Sequence, residues 1–387
     1  MSIKTFFMKF RFTSTFFFVS IAFALMSFII KGEDYPKMKV GKMDHVGYEF
    51  ENLVVDTANG DLYASVKENG EKNKSTIVRW NGKDWEKVGN SIDYFVTSLC
   101  FFDENLYVGV TTTYQSANGA GVEKNRGGVV YVLSKGYWKT VGENFAGDVN
   151  ELIVFKNELY AAGNYIVDFG KDKHNSILCR LVDNHWEDCK TTNPVSAEFH
   201  ANCKVRSACI YDDNIVIAGA FDIETANGRA KNLVMWDGNK WSSPDFKIPG
   251  ARYTSLAVFK NELIVAGDFL VTSKPYQSIN CIYSWDGAQI KSLQQGLLSG
   301  VDALEVFNQK LYVGGRFYEE STTEAKWLAM WDGTDWHKVV DNMKIRLKGE
   351  KIIRQMISFN QKLIIAGCFL SINKIETGGI ASLTISE

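Results

Sequence analysis

Seven copies of one pattern run through this chain, and a chain that repeats one unit so often must bury each unit against its own copies. The run Val301-Asp302-Ala303-Leu304-Glu305-Val306-Phe307, followed by Lys310-Leu311-Tyr312-Val313-Gly314-Gly315-Arg316-Phe317, has its counterpart in Ser255-Leu256-Ala257-Val258-Phe259 and Glu262-Leu263-Ile264-Val265-Ala266-Gly267-Asp268-Phe269. Anchored on the first apolar residue after the turn, the copies fall at Leu62, Leu106, Leu159, Ile215, Leu263, Leu311 and Leu363. In six of them a second apolar residue stands seven positions earlier, at Leu99, Leu152, Ala208, Leu256, Leu304 and Met356; the first copy, with Leu53, is two residues longer. A short polar turn such as Lys156-Asn157-Glu158 separates the two runs, so each copy opens with a β-hairpin. A third apolar run ends in tryptophan, aspartate or asparagine, then glycine, as at Trp80, Trp236, Trp285 and Trp331. A fourth begins with an aromatic at Trp85, Trp138, Trp186, Trp241 and Trp336, with Ile290 standing in once. Asp-Gly and Asn-Gly suit a two-residue turn in which both central positions take positive φ, and that turn is expected here. Each copy reads as a four-stranded antiparallel meander.

A sheet of this size that is apolar on both faces is not stable alone, and copies packed face to face around an axis form a propeller. The fold class is therefore all-β: a seven-bladed β-propeller of four-stranded antiparallel blades, one domain over residues 33–387. The blades are expected at about 48–92, 93–146, 147–200, 204–249, 252–298, 300–345 and 350–387. Gly163, Gly219, Gly267, Gly315 and Gly367, each four residues after the anchor, mark where neighbouring sheets or backbone approach closely. The last copy stops at Leu383-Thr384-Ile385 without a fourth strand, while Lys39-Val40-Gly41 precedes the first copy as Lys87-Val88-Gly89 precedes the second. Residues 37–42 are expected to supply the missing outer strand, closing the ring and removing two free sheet edges.

With 45% hydrophobic and 23% charged residues the chain can build a core, and 43 basic against 45 acidic residues leave no electrostatic footprint for nucleic acid. Lys4, Lys9 and Arg11 precede an uncharged stretch from Phe12 to Ile30, so residues 1–32 read as a signal peptide or signal anchor. The body is thereby expected in the secretory pathway, outside the cell or at its surface, touching a membrane only if that segment is uncleaved. Seven cysteines are too few for a disulfide framework in a chain this long. Cys100, Cys209, Cys281 and Cys368 lie in apolar runs as core thiols, whereas Cys189 and Cys203 flank a polar stretch that a disulfide can close. Asn73-Lys74-Ser75 is a glycosylation sequon at Asn73.

The repeat resembles those of the cortical-marker family of fungal cell-polarity proteins, and the broader kelch and galactose-oxidase-type group. The likeness rests on valine-x-alanine-leucine, then leucine-tyrosine-valine-glycine-glycine-x-phenylalanine, then tryptophan-aspartate-glycine-x-x-tryptophan. It covers roughly residues 37–387, is best between Gly300 and Trp336, and weakens where Leu133-Ser134-Lys135-Gly136 and Leu181-Val182-Asp183-Asn184 replace the tryptophan turn. The resemblance implies a secretory-pathway or cell-surface propeller serving interaction. Fungal members carry a C-terminal span after a longer ectodomain, which this sequence lacks, so a polarity role is not implied.

Catalytic readings find little purchase. His45, His174, His185, His200 and His337 occur singly, without the paired spacing of a metal site, so neither metal nor other cofactor is expected. Trp331-Asp332-Gly333-Thr334-Asp335-Trp336 superficially resembles a sialidase aspartate box, but aspartate and glycine are adjacent here, as a hairpin turn requires. No phosphate loop or serine nucleophile motif is present.

Two candidate binding surfaces follow from the topology. The loops between second and third strands share one face with the links between blades, and they present Tyr114, Gln115, Lys124, Arg126, Lys173, His174, Arg229 and Tyr276. The position two before the inner-strand apolar residue reads Glu51, Thr97, Asn150, Arg206, Thr254, Asp302 and Arg354, a polar set placed to line one mouth of the central channel. Glu51 and Arg354 fall on adjacent blades and can pair as a salt bridge. The tryptophans recur at fixed repeat positions, which assigns them to packing between blades. The functional expectation is a noncatalytic binding module for a protein or glycan partner, with Arg206, Arg354, Asp302, Glu51, Tyr114, Arg126, Arg229 and Tyr276 as ligand-binding candidates. The alternative is a sialidase-like or other glycan-active hydrolase using carboxylates at the channel mouth.

Overall fold

Strand after strand buries side chains on both faces, which only a sheet sandwiched between two others can do. Leu263, Ile264, Val265 and Ala266 of one second strand are all at most 1% exposed. The structure is a computed structural model that describes residues 38–43, 47–68, 74–111, 127–168, 173–190, 204–245, 248, 251–269, 280–294, 296–297, 299–315, 327–346 and 352–385. They form seven four-stranded sheets whose pairings are all antiparallel. Within each sheet we letter the strands A to D from the axis outward. The A strands are Tyr48–Asp56, Phe95–Phe102, Ala146–Phe155, Lys204–Tyr211, Arg252–Phe259, Val301–Phe307 and Ile353–Phe359. Each touches the next, and the last touches the first, so the sheets close into a seven-bladed β-propeller. The core is accordingly divided into seven apolar layers, one at each seam between blades.

The ring closes as the unmatched chain ends require. Met38–Lys42 is strand D of blade 7, pairing with Ile380–Ile385 in the register Met38↔Ile385, Val40↔Leu383 and Lys42↔Ala381. A further, three-stranded sheet adjoins the blades: Met343–Ile345, in the link from blade 6 to blade 7, pairs with a hairpin of Phe369–Ile372 and Ile375–Glu376 inserted between strands B and C of blade 7. Phe369 and Ile372 are fully buried there, which ties the insertion to the adjoining core. Among the described residues no helix is long and apolar enough to cross a membrane.

Two turn assignments need correction. The tryptophan-aspartate-glycine turns are not two-residue turns: Trp331 pairs with Trp336, leaving four residues between, and of these only Gly333 has positive φ. The Asp332 Oδ1 accepts the N–H groups of Thr334 at 2.7 Å and Asp335 at 2.8 Å, so the side chain itself closes the turn. Turns with two positive-φ positions are instead the A–B turns, such as Lys156-Asn157, Lys260-Asn261 and Asn360-Gln361, and the C–D turns of blades 2 and 3, Lys135-Gly136 and Asp183-Asn184. The recurrent glycines serve approach within a blade rather than between blades. A Cβ on Gly219 would lie 2.1 Å from the Lys204 carbonyl oxygen, and one on Gly267 2.0 Å from that of Arg252.

Candidate functional site

The seven polar residues read from the repeat spacing share one structural cause. In every A strand the register slips by one residue at the same level, and the extra residue is Glu51, Thr97, Asn150, Arg206, Thr254, Asp302 or Arg354. A β-bulge re-aims the side chain it carries. The A strands also have one edge without a strand partner, whose backbone groups must be satisfied by other means. Several bulge side chains do so by reaching to the next blade. The Thr97 hydroxyl donates to the Val149 carbonyl at 2.7 Å, Thr254 donates to the Val301 carbonyl, and the Arg354 Nη1 approaches the Phe50 carbonyl at 3.5 Å. The residue after the bulge completes the scheme: Ser98 Oγ accepts the Leu152 N–H at 3.0 Å, Ser207 Oγ that of Leu256 at 3.1 Å, and Gln355 bonds both backbone groups of Leu53.

Around this mouth the charge is unevenly balanced. Across the seam from blade 7 to blade 1, Arg354 meets Glu49 at 3.0 Å and Glu51 at 3.4 Å, and Glu51 also holds Lys67 at 2.6 Å. These side chains are largely shielded, and the pairing of Glu51 with Arg354 anticipated from sequence is present. On blades 4 and 5, Lys204, Arg206 and Arg252 are exposed, and none of them makes an ion pair among the described residues. The Lys204 ammonium is held below its ordinary pKa by the protein that surrounds it and by the Arg206 charge, with Asp148 acting the other way. Asp302 is buried. Arg229 lies apart from this ring, on the B–C hairpin of blade 4, where its Nε meets Asp222 at 2.6 Å. Tyr114, Arg126, Tyr276, Cys203 and Asn73 lie outside the described residues, while Cys189 is a buried free thiol.

Further down the channel, Ser358 donates from both its N–H and its hydroxyl to Glu305, at 2.9 and 2.8 Å. Burial raises the Glu305 carboxyl above its ordinary pKa despite those bonds. Cys100 and Cys209, also on A strands, are pushed up to about 12 by burial, which leaves both as inert thiols. Among the described residues no three histidine, cysteine, aspartate or glutamate side chains gather as metal ligands.

The tryptophans are bound into the seams. Outer-strand indoles donate to a backbone carbonyl of the preceding blade: Trp85 to Met43 at 2.6 Å, Trp138 to Asn90 at 2.8 Å, Trp186 to Val141 at 2.9 Å, Trp241 to Cys189 at 2.8 Å and Trp336 to Leu293 at 3.1 Å. Asp332, in the segment that superficially matches an aspartate box, is committed to its own turn and to His337 at 2.8 Å. Partial burial opposes ionisation, but the N–H groups of Asp335 and Thr334 and the His337 ring hold its carboxyl well below the usual range.

A feature that the repeat pattern does not single out lies at the other end of the molecule. A cleft of ≈ 600 Å³ opens at the closure seam, between Phe359 and Asn360 of blade 7 and Trp80, Asn81 and Gly82 of blade 1.

No family model matches the chain, and no curated protein does. Solved structures match in fold. The extracellular domain of a protein assigned to a one-component system from B. thetaiotaomicron aligns over 91% of this chain with a TM-score of 0.56 at 11% identity; this chain spans 40% of its length. The β-propeller domain of the Trilobed protease from Pyrococcus furiosus aligns over 87% of this chain and 94% of its own, with a TM-score of 0.50 at 14% identity. A catalytically inactive virginiamycin B lyase from Staphylococcus aureus aligns over 90% and 99%, with a TM-score of 0.51 at 8% identity. At such identities the likeness establishes a β-propeller and nothing finer.

Proposed function

We propose that this protein is a noncatalytic binding module of the secretory pathway or cell surface, whose basic residues at the bulge end of the channel hold acidic groups of a protein or glycan partner. One observation carries the reading: Lys204, Arg206 and Arg252 share one sector of the mouth and make no ion pair among the described residues, although Asp148 acts on Lys204 and Asp268 stands opposite Arg252 in the ladder, while Arg354 in the opposite sector is matched by Glu49 and Glu51. Like charges held close together repel one another, and an anionic partner relieves that repulsion. The sector faces the same end as the B–C loops, so a macromolecule seated there also meets them. The extracytoplasmic placement is supported by the uncharged Phe12–Ile30 stretch and by the extracellular origin of one structural neighbour. The hydrolase alternative fits less well. A glycosidase needs an acid and a second carboxylate free to face the sugar, whereas Glu51 is held by Lys67 and Arg354, and Glu305 by Ser358.

The test is an array of acidic and neutral glycans and peptides probed with the full chain and with the Arg206→Glu/Arg252→Glu double variant. At least one class of acidic ligand should be retained at low salt, weaken as ionic strength rises, and be lost in the double variant. Equal binding by parent and variant would remove the mouth as the site.

A further inference from the structure

The closure seam differs from three seams built on the same motif. Where blade 4 follows blade 3, the A–B turn residue Lys156 reaches the Asp237 carbonyl at 3.0 Å; where blade 6 follows blade 5, Lys260 reaches the Asp332 carbonyl at 3.1 Å. Where blade 5 follows blade 4, Tyr211 packs 5.8 Å from Trp285 and donates to its carbonyl at 3.3 Å. Each time the turn tryptophan is covered: Trp236, Trp285 and Trp331 are 6%, 6% and 7% exposed. In blade 1 the preceding turn carries Asn360, too short to span to Asn81, and Trp80 stays partly exposed. A Cβ on Gly82 would touch nothing within 4 Å, whereas one on Gly333 would meet the Lys260 side chain. The cleft is therefore the space that a lysine or tyrosine fills elsewhere.

Its walls combine an indole, the Phe359 ring, three cations and the Asp61 carboxylate. Arg79 is shared between Asp61 at 3.4 Å and Glu86 at 3.2 Å. Lys42 and Lys362 line the same cleft and are exposed, and their ammonium groups make no ion pair or hydrogen bond among the described residues. The Asn360 amide is likewise uncommitted there. The volume lies in the range of small-molecule sites. The electron-rich face of an indole attracts the C–H side of a sugar ring, and the two ammonium groups call for a carboxylate. From this we infer that the closure seam is a binding site for a short acidic saccharide of the uronate type, separate from the channel mouth.

The experiment titrates the full chain with trigalacturonate, and with maltotriose as the neutral comparator, by calorimetry and tryptophan fluorescence. Saturable binding of the acid is expected, at least about tenfold tighter than the neutral sugar. Asn360→Lys places in this turn the residue that Lys156 and Lys260 provide, at a backbone position of matching φ (46° against 50° and 51°). It should abolish binding without lowering the melting temperature. Lys42→Gln/Lys362→Gln should erase the preference for the acid, and Arg206→Glu/Arg252→Glu should bind the acid as the parent does. Failure of the parent to bind the acid, undiminished binding by Asn360→Lys, or equal affinity for both sugars would overturn the assignment.

Discussion

The seam between blades 5 and 6 and the seam between blades 7 and 1 are built from one set of parts. In both, a phenylalanine of the A strand enters the apolar layer, a turn tryptophan packs on an outer-strand tryptophan, at 5.1 and 5.2 Å, and the outer indole donates to a carbonyl of the preceding blade. They differ at the surface. Lys260 seals the first, while Asn360 leaves the second open; Asp332 closes one turn as a carboxylate and Asn81 closes the other as a neutral amide. The layer between blades is thus set by the repeat, whereas its outer rim is free to vary by single residues. Binding capacity can be gained at the rim without disturbing the ring.

The largest test of that view attacks the part that is special to the closure seam. Removing residues 33–44 deletes the D strand of blade 7 with its buried Met38 and Val40. A loss on the order of 5 kcal/mol is expected from the apolar burial and ladder bonds together. A thermal melt indistinguishable from the parent would show that the ring does not depend on this strand.

Next, Trp336→Phe and Trp85→Phe each remove an indole that donates to a carbonyl of the preceding blade from a site at most 5% exposed. Each should cost about 2 kcal/mol in chemical denaturation, because the carbonyl loses its donor and the smaller ring leaves space. Unequal losses would mean that the two seams differ beneath the rim as well.

Asp332→Ala should cost about 1.5 kcal/mol at neutral pH. Its folded carboxyl titrates below the unfolded one, so its contribution is complete above the unfolded pKa of about 4 and disappears as pH falls further. The deficit of the variant should therefore shrink in acid. Asn81→Ala loses the corresponding turn bonds from a neutral side chain, together with one bond to the exposed Glu86 carboxylate, so its deficit should shrink far less over that range. Parallel pH profiles would refute the assignment of the charge to the turn.

The smallest effect is expected from Lys260→Asn, about 0.5 kcal/mol for an exposed contact. Its informative readout is acrylamide quenching, which should rise as Trp331 becomes as accessible as Trp80.

Much of this architecture is legible from spacing alone. Strand order, blade number and the strand exchange at Val40 and Leu383 follow from where one pattern starts and stops. So does the ring of polar bulge residues, because a fixed offset from Leu53, Leu152 or Leu256 marks a fixed level on the axis. What those residues do is less legible. Arg354 and Glu51 meet only because the ring closes, and Thr97 reads as a candidate ligand group although its hydroxyl bridges blades. The turn after Trp331 is ambiguous in sequence because Asp-Gly suits two turn types, and the separation of Trp331 from Trp336 decides against the two-residue form. The cleft rests on one letter, Asn360 in place of lysine, whose meaning appears only once blade 7 stands beside blade 1. The B–C hairpin of blade 7 has a described parallel in Asp222–Thr225 and Gly228–Lys231 of blade 4, but the strand Met343–Ile345 that pairs with it lies in a link between copies, outside the repeat pattern.

Met38 and Ile385 face each other as partners across the position where the other blades carry a C–D turn. Between Met38 and Ile385 the backbone traces a ring opened at one surface turn, where few contacts are interrupted. A four-residue connector copied from Asp332–Asp335 could join those ends, with new ends opened at a comparable turn in another blade. The order of blades along the polypeptide is then an accident of where the cut falls, and circularly permuted versions should assemble the same molecule.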